Sequence, residues 1–567
     1  MSTSPKTSSS GAQRPCDKCK SRKVRCIRPE HLPTTSTSGS TDPCEACRRR
    51  DESCTFEVAP KKRGPTARRL RHQFNPARPL APLKPRICES ETPVSPIGQL
   101  TDLDPLTSVM PRDLLEQCIS VYFQYVYGLV PLVHRPTFLA DFHGHRERHP
   151  DQEEWTVLVL SVAGMTVAHV PWAFSSLTKE ETRGMVRKCH ERAKAFLFDN
   201  FDAPTFGRCL ILYSAIIMST RLGHSGNREF YIGANWRFIY QMELHLESSY
   251  EGLDCIEKEM RRRLYWLAVG FDKASASVRG GVMITREHCA TVELPTAIDD
   301  EYLSSTGYSP PTDGQTSILS GFRYVSRLYG LFGQILDMRR VDKIQPPSGI
   351  MLEMRLAEVE EIFEQIMNLM VGCPEELRLQ DSQPIDLTGA LDWAGDAFDT
   401  IRALFEQTEA PAVIADTFLV QQGNIYTAIH MSRQLTLRYR ADLYSLRAAE
   451  GPYNGPTLAL GVSPGGTKET MEEEMERNAA DLSRMLRIIP MEALAVNGDA
   501  VVNKVRFVAV GQLEALERLG RDNDGSDPEK AVKLQASQRY LYEFLQVLGD
   551  IEALYSITDN LPSAAVV

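Results

Sequence analysis

The chain lacks hydrophobic segments that would direct it to a membrane or across one. Residues 1–15 are rich in serine and threonine and have no apolar core of the kind that a signal peptide requires. The most apolar stretch, residues 157–171, is shorter than the roughly 18 residues of a membrane span and contains His169. We therefore expect no membrane partner and a buried helix at residues 157–171.

Two well-known catalytic patterns are also missing. The sequence contains neither His-Glu-x-x-His nor the phosphate-binding Gly-x-x-x-x-Gly-Lys-Ser/Thr. Histidines such as His134, His224 and His245 are too far apart in sequence to form a local catalytic or metal-binding motif. We therefore expect that the chain is not an enzyme.

Cysteine is scarce except in one N-terminal cluster. Of the 13 cysteines, seven are scattered without a repeat, as is typical of core or surface thiols. The other six lie in two copies of the spacing Cys-x2-Cys-x6-Cys, separated by 17 residues: Cys16, Cys19, Cys26, Cys44, Cys47 and Cys54. A disulfide scaffold built from these six would need an oxidising compartment and usually a short secreted chain, so we expect them to be metal ligands instead.

This spacing predicts bound zinc. Thiolates are soft ligands that favour Zn²⁺, and a Cys-x2-Cys pair places two sulfurs on one ion across a tight turn or the first turn of a helix. Two tetrahedral ions need eight bonds, whereas six terminal thiolates supply six. The sequence therefore predicts a cluster of two Zn²⁺ ions per chain in which two thiolates are shared.

The N-terminal segment is strongly basic, although the whole chain has a net charge of −10. Residues 1–86 contain 20 Lys+Arg against 7 Asp+Glu, whereas the remainder contains 44 against 67. A basic segment of this kind neutralises phosphates and releases counterions from a duplex. We therefore expect double-stranded DNA as a partner.

Residues 14–26, Arg-Pro-Cys-Asp-Lys-Cys-Lys-Ser-Arg-Lys-Val-Arg-Cys, resemble the first half of the fungal zinc binuclear cluster DNA-binding domain. The resemblance implies that each half is a short helix plus an extended strand, and that the first helix enters the major groove. It also implies that Cys16 and Cys44 bridge the two ions. Cys19 and Cys26 would then complete one site, and Cys47 and Cys54 the other.

The same resemblance implies which basic residues contact DNA. The base-reading position falls on Lys23, with Arg22 beside it, and lysine suits the O6 and N7 acceptors of guanine. The implied half-site is a CGG-type triplet. Lys20, Arg25 and the arginine run at 48–50 are expected to contact phosphates.

A basic, proline-rich segment follows the cysteines. Ten prolines between Pro60 and Pro111 block a continuous helix and favour an extended or disordered linker. No heptad repeat is present there, so the sequence leaves the oligomeric state open. Six basic residues are expected to form a nuclear localisation signal, a phosphate-binding arm or both: Lys61, Lys62, Arg63, Arg68, Arg69 and Arg71.

From about Arg112 onward, the sequence shows helical periodicity and few strand signals. Apolar residues recur every third or fourth position in residues 114–123, which is typical of a core-facing helix. The sequence therefore predicts a large all-α domain. Similar patterns occur at residues 155–168, 206–220, 235–246, 260–276, 321–338, 351–370, 422–446, 469–488, 501–519 and 531–554.

Two patterns in this region resemble the fungal-specific transcription factor domain, which often follows a zinc cluster. One is Val-Pro-Leu-Val-His-Arg-Pro-Thr-Phe at 130–138. The other is Arg-Arg-Arg-Leu-Tyr-Trp at 261–266, followed by Phe-Asp-Lys at 271–273 and Glu-Leu-Pro at 293–295. Lys273 stands where that family usually has arginine, so an ion pair assumed for that arginine would lose its bidentate geometry.

The expected domain order is a disordered tail at 1–13, the zinc cluster at 14–58, the linker at 59–111 and the all-α regulatory domain at 112–560. The expected function is sequence-specific DNA binding in the nucleus and regulation of RNA polymerase II transcription, with the transcription machinery or coregulators as partners. The alternative is a ligand-sensing helical protein whose DNA contact is secondary or lost, for example because residues 27–43 form a longer loop than is usual in the family.

Three glutamates and a set of aromatic residues in the helical region can each be interpreted in structural or in functional terms. Residues 472–474 are three glutamates, which form either a coactivator-binding acidic helix or a solvated helix face. Aromatic residues belong to the core or line a cavity for a small-molecule effector. They are Tyr122, Phe123, Tyr125, Trp236, Tyr240 and Trp266.

Overall fold

The computed structural model describes residues 16–24, 26–27, 43–55, 105–170, 177–199, 203–279, 283–286, 289–309, 314–379, 411–450, 467–521 and 528–557. The chain divides into two compact units, Met1–Ile97 and Gly98–Val567. In the N-terminal unit the structure describes two short helices, α1 (Asp17–Arg22) and α2 (Glu45–Arg48). The described part of the second unit is mostly helical, as the sequence predicts.

The second unit begins with helices that surround one long, buried helix. That helix, α5, is buried at every position from Trp155 to Ala168, which is expected of a helix that is apolar on all sides. It packs against α3, α6 and α7, and this confirms the predicted buried helix. The helices of this part are α3 (Arg112–Val121), which continues into a π-helical turn (Tyr122–Val126), α4 (Arg135–His143), α5 (Glu153–His169), α6 (Lys179–Asp199), α7 (Phe206–Arg221) and α8 (Ser225–Gln241).

The middle of the unit contains its one described β-hairpin. Strands β1 (Leu303–Ser304) and β2 (Gly307–Tyr308) pair antiparallel, with Leu303 opposite Tyr308. Strand β1 packs against α9 (Cys255–Arg279), which precedes the hairpin in the chain. The hairpin is followed by α10 (Ser320–Ile344) and α11 (Ile350–Met367). The unit has a first apolar core, which includes Val157, Leu212 and Phe238, and a second, which includes Phe332, Leu356 and Leu435. Helix α9 packs on both α8 and α10, so it joins the first core to the second.

A 40-residue helix organises the C-terminal part. This helix, α12 (Pro411–Glu450), is about 60 Å long at 1.5 Å per residue. It packs against α10 and α11, and against the first three of the four helices that follow it. The fourth of these packs on the other three. The four helices are α13 (Lys468–Ile488), α14 (Met491–Asn497), α15 (Asp499–Arg521) and α16 (Pro528–Tyr555).

Local sequence signals explain where several helices begin. The Thr205 side chain accepts a hydrogen bond from the Arg208 amide at the start of α7, and Thr467 caps α13 in the same way. Leu106 and Met110, which lie in the segment interpreted as a linker, are buried in the first core. The packing of the second unit therefore begins before α3. No helix in the described ranges is both long enough and apolar enough to span a membrane.

Candidate metal centre

The first half of the cysteine cluster is a short helix that begins at a cysteine. Cys16 precedes α1, and its sulfur accepts a hydrogen bond from the Cys19 amide at 3.4 Å. Asp17 in the first turn and Arg22 in the last turn complement the helix dipole. The helix ends at Lys23, which adopts a left-handed backbone with φ of 54°.

The second half repeats this backbone 28 residues later. The Lys20 amide donates to the Cys16 carbonyl at 2.9 Å, and the Arg48 amide donates to the Cys44 carbonyl at 2.8 Å. Asp51 follows α2 with φ of 54°, as Lys23 follows α1. The two copies of the spacing therefore fold into two equivalent structures.

The two halves also bind each other reciprocally. The Asp17 amide donates to the Thr55 carbonyl at 2.8 Å, while the Glu45 amide donates to the Ile27 carbonyl at 3.0 Å. Each hydrogen bond joins the start of one helix to the residue just after the third cysteine of the other half. This exchange brings all six cysteines to one place.

The six sulfurs form two groups of four that share two members. In each group the sulfur atoms lie within 4.8 Å of one another. Cys16 and Cys44 belong to both groups. Cys19 and Cys26 complete the first group, and Cys47 and Cys54 complete the second.

The sulfur spacing fits a tetrahedral metal ion. The Cys19 and Cys44 sulfurs lie 3.5 Å apart, and the Cys16 and Cys47 sulfurs lie 3.7 Å apart. Four sulfurs at about 2.3 Å from a zinc ion would be about 3.8 Å from one another. All six cysteines are free of disulfides, so the cluster could hold metal ions.

Electrostatics distinguish the shared sulfurs from the others. Burial raises the pKa of Cys44, but the Cys47 amide and neighbouring thiols outweigh burial and lower it to about 6. The pKa of Cys16 is lowered in the same way by the Cys19 amide. Burial raises the pKa of Cys54 to about 12. The two sulfurs common to both groups are therefore the ones whose thiolate is favoured.

The structure places the predicted DNA-contacting residues in different surroundings. Lys20 and Lys23 are exposed, and no ion pair joins either to another described residue. Arg22 instead donates a hydrogen bond to Glu52 at 2.7 Å. Arg25 lies outside the described residues. The predicted localisation residues also lie outside them: Lys61, Lys62, Arg63, Arg68, Arg69 and Arg71.

In the helical unit, the two predicted motifs meet at Asp300. The Asp300 carboxylate accepts hydrogen bonds from the Arg135 amide at 2.7 Å, from Arg263 at 2.8 Å and from the Tyr127 hydroxyl at 2.5 Å. A ring nitrogen of His134 lies 3.2 Å from the Asp300 carbonyl oxygen. Asp300 therefore joins residues from 130–138 to residues from 261–266.

Arg263 keeps its charge although it is fully buried. Burial opposes this charge, but Tyr127, Asp300 and Glu259 more than compensate and raise the pKa of the guanidinium. Glu259 lies 3.4 Å from the Arg263 Nε. These groups are structural, because they hold α9 against the loop before the β-hairpin.

Lys273 contacts a backbone carbonyl and the carboxylate of the preceding residue. Its Nζ donates to the Thr285 carbonyl at 2.5 Å and lies 3.8 Å from the Asp272 carboxylate. Asp272 accepts hydrogen bonds from the amides of Ile284 and Thr285. Asp272 and Lys273 therefore fasten residues 283–286 to α9.

The acidic residues of α13 form ion pairs within the unit. Glu474 pairs with Arg433 at 3.0 Å, Glu472 pairs with Arg518, and Glu473 lies 4.0 Å from Lys533. The same helix buries Met471, Leu482 and Leu486. These contacts favour the interpretation of the three glutamates as the solvated face of a packed helix.

The aromatic residues considered for an effector cavity do not line the surface groove along α8. This groove has a volume of about 580 Å³, and its lining includes Phe230, Gly233 and Arg237. Tyr122, Phe123 and Trp236 are instead buried in the first core.

A Gly-x-Ser-x-Gly pattern at residues 461–465 lies outside the described residues. In hydrolases this pattern places the serine on a turn from a strand to a helix. Here the preceding described element is α12, which ends at Glu450, and the following one is α13.

Residues 119–369 match the family described as the fungal specific transcription factor domain. This segment includes both motifs that meet at Asp300, and it covers less than half of the chain.

The chain is also similar to fungal regulators. The transcriptional activator protein acu-15 of Neurospora crassa is 25% identical over 290 residues, which cover 50% of this chain and 30% of that protein. The ABC-transporter-regulating transcription factor of Aspergillus fumigatus is 24% identical over 209 residues, 36% of this chain and 23% of that protein. The chain thus spans less than a third of the length of either relative. These findings support a fungal transcription factor, and they indicate a regulatory protein rather than an enzyme.

Proposed function

We propose that this chain is a zinc-dependent, sequence-specific DNA-binding regulator of RNA polymerase II transcription in the nucleus. The observation that carries the proposal is the pair of four-sulfur groups that share Cys16 and Cys44. Two shared and four terminal thiolates supply the eight bonds that two tetrahedral zinc ions need. The match to the fungal specific transcription factor domain supports the same function.

The proposed base-reading residue is Lys23. It is exposed, and its left-handed backbone ends the first helix. An ammonium group there can donate to guanine O6 and N7 in the major groove, which fits the guanines of the CGG-type half-site that the resemblance to the zinc binuclear cluster domain implies. Lys20 and Arg48 are the proposed phosphate contacts, together with Arg25 on sequence grounds.

The helical unit is the proposed regulatory part. Activation is favoured over repression because the relative from Neurospora crassa is named a transcriptional activator. The basic residues between Lys61 and Arg71 are the proposed nuclear localisation signal, since clustered Lys and Arg are typical of such signals.

The test is a Lys23→Ala substitution in the full-length protein. A bidentate base contact contributes about 1–3 kcal/mol of discrimination, so the variant should lose most of its preference for a CGG-containing duplex. Arg48→Ala is the control, because it removes the same charge from a proposed phosphate contact in the second half. It should weaken binding to all duplexes alike. Zinc per chain, measured by native mass spectrometry, should stay at two in both variants.

Two outcomes would contradict the proposal. One is a wild-type protein with two zinc ions and no sequence preference, which would favour the ligand-sensing alternative. The other is a Lys23→Ala variant that keeps the full preference, which would assign base reading to another residue.

A further inference from the structure

Glu52 of the second half contacts two basic residues of the first helix. Its Oε1 accepts a hydrogen bond from the Arg22 Nη2 at 2.7 Å, and its Oε2 lies 3.7 Å from the Lys18 Nζ. Lys18 and Arg22 are four residues apart on α1, so their side chains lie on the same face of the helix. One carboxylate therefore ties this face of α1 to the other half.

This contact breaks the internal repeat. With the offset of 28 residues, Glu52 corresponds to Val24, and Lys18 corresponds to Ala46. Valine cannot accept a hydrogen bond and alanine cannot donate one. Among the described residues, this side-chain contact is therefore made by an acidic residue of the second half to basic residues of the first half, which contains Lys23, and has no counterpart in the other direction.

The Glu52 side chain is 26% exposed, less than either of its basic partners. The Oε2 atom of Glu52 is shielded from solvent and accepts no hydrogen bond from a described residue. The Arg22 and Lys18 side chains are 37% and 40% exposed, and exposed ion pairs of this kind contribute little to stability. The contact therefore matters more for orientation than for folding.

We propose that Glu52 is a positioning residue for DNA reading. It holds Arg22 and Lys18, fixes α1 against the second half and so sets the direction from which Lys23 meets the base edges. Arg22 is then part of this support and is not itself a DNA contact, in contrast to the expectation from sequence. This inference rests on the proposed function, because it concerns how the same site reads DNA.

The salt dependence of binding separates the two roles of Arg22. Each phosphate contact contributes about 0.9 to the slope of log K against log salt on B-DNA. A phosphate-binding Arg22 would therefore lower the slope by about 1 when replaced, and would weaken binding to every sequence. A positioning Arg22 leaves the slope unchanged and lowers only the ratio of specific to non-specific affinity.

The experiment uses full-length Arg22→Gln, Glu52→Gln and the double variant, with Arg50→Gln as the matched control in the second half. Fluorescence anisotropy at several KCl concentrations gives the affinity for a CGG-containing duplex and for a scrambled duplex. Each single variant should lose roughly tenfold in specificity ratio, and the double variant should lose no more than either single, as coupled residues do. Arg50→Gln removes an expected phosphate contact, so it should weaken binding to both duplexes alike, lower the slope by about 1 and leave the ratio unchanged. Native mass spectrometry should show two zinc ions in every variant.

The opposite pattern overturns the inference. Suppose that Arg22→Gln lowers the slope of log K against log salt and weakens binding to both duplexes equally, while Glu52→Gln strengthens binding. Arg22 is then a phosphate contact, and its ion pair with Glu52 competes with DNA binding. If either variant loses zinc, Arg22→Lys decides: it keeps the charge but not the two-pronged guanidinium. A reduced ratio in Arg22→Lys supports positioning, and an unchanged ratio contradicts it. A wild-type protein without sequence preference would instead contradict the proposed function itself.

Discussion

Cys16 and Cys44 occupy the same position in the two halves of the N-terminal unit, and they are the two sulfurs common to both four-sulfur groups. Each precedes the first residue of a short helix. Backbone amides at these helix starts favour the thiolate form of both residues. A thiolate that bridges two ions must give electron density to both, so the helix starts are suited to bridging sulfurs.

Loss of a shared sulfur should affect both metal ions. Cys16→Ser leaves three sulfurs in each group, whereas Cys19→Ser leaves the group of Cys16, Cys44, Cys47 and Cys54 complete. We expect Cys16→Ser to lose both zinc ions and Cys19→Ser to keep one, as measured by native mass spectrometry. Cys289→Ser, an exposed cysteine in the other unit, should keep two. Equal zinc counts in Cys16→Ser and Cys19→Ser would argue against shared ligation.

Removal of zinc should unfold only the N-terminal unit. The described core of that unit consists mainly of the cysteines themselves, so metal binding supplies its folding free energy. The helical unit has three apolar cores of its own. A zinc chelator should abolish DNA binding while the thermal transition of the helical unit, followed by far-UV circular dichroism, stays within about 2 °C of its original midpoint. A large drop in that midpoint would show that zinc also stabilises the helical unit.

Arg263→Met should strongly destabilise the helical unit. The change leaves the Asp300 carboxylate buried without its guanidinium partner, and breaking a buried pair costs about 3–5 kcal/mol. Arg192→Met removes a more exposed ion pair to Glu153 and should cost less than about 1 kcal/mol. Denaturant unfolding measures both values. Similar losses in the two variants would show that Asp300 finds other partners.

Lys504 should make the stability of the helical unit depend on pH above neutrality. Burial lowers the pKa of Lys504 to about 7, and among the described residues its Nζ donates to the two oxygens of Asn424. The unfolded lysine titrates near 10.4, so the unfolded chain binds more protons between about pH 7 and 10. Stability therefore rises with pH across this range, and the cost of the buried charge is fully present below pH 7.

Lys504→Met should remove this dependence. The variant should be more stable than the wild type at pH 7, and the difference should shrink as the pH rises toward 9. Thermal midpoints at pH 6, 7, 8 and 9 measure it, with Lys468→Met at the exposed start of α13 as the control. A difference that does not change with pH would mean that Lys504 is charged in the folded protein throughout the range.

The sequence predicts the cysteine cluster from its spacing, and most of the long helices from their apolar periodicity. The number of metal ions follows from the number of ligands, and the six ligands are the first six cysteines of the chain. The helix at residues 155–168 follows from its apolar composition alone. Helix α6 was missed because charged residues dominate it, although Thr178 and Glu181 cap it reciprocally and Val186, Cys189 and Ala193 are buried at helical spacing.

Long-range polar contacts were beyond sequence reasoning. Tyr127 and Asp300 are 173 positions apart, and neither residue belongs to a motif that indicates the pairing. The Arg22–Glu52 contact was missed for a related reason, because a basic residue beside a DNA-reading lysine suggests phosphate binding. Only the exchange of backbone hydrogen bonds between the halves brings Glu52 to α1.

The most direct test combines a zinc count with binding-site selection on the full-length protein. The protein would be incubated with randomised duplex DNA at a fixed salt concentration, and the bound duplexes would be sequenced. The proposed function predicts two zinc ions per chain and enrichment of a CGG-type triplet, both lost on chelation. Two bound zinc ions without any enriched sequence would contradict it, and so would an enriched sequence that persists after the zinc is removed.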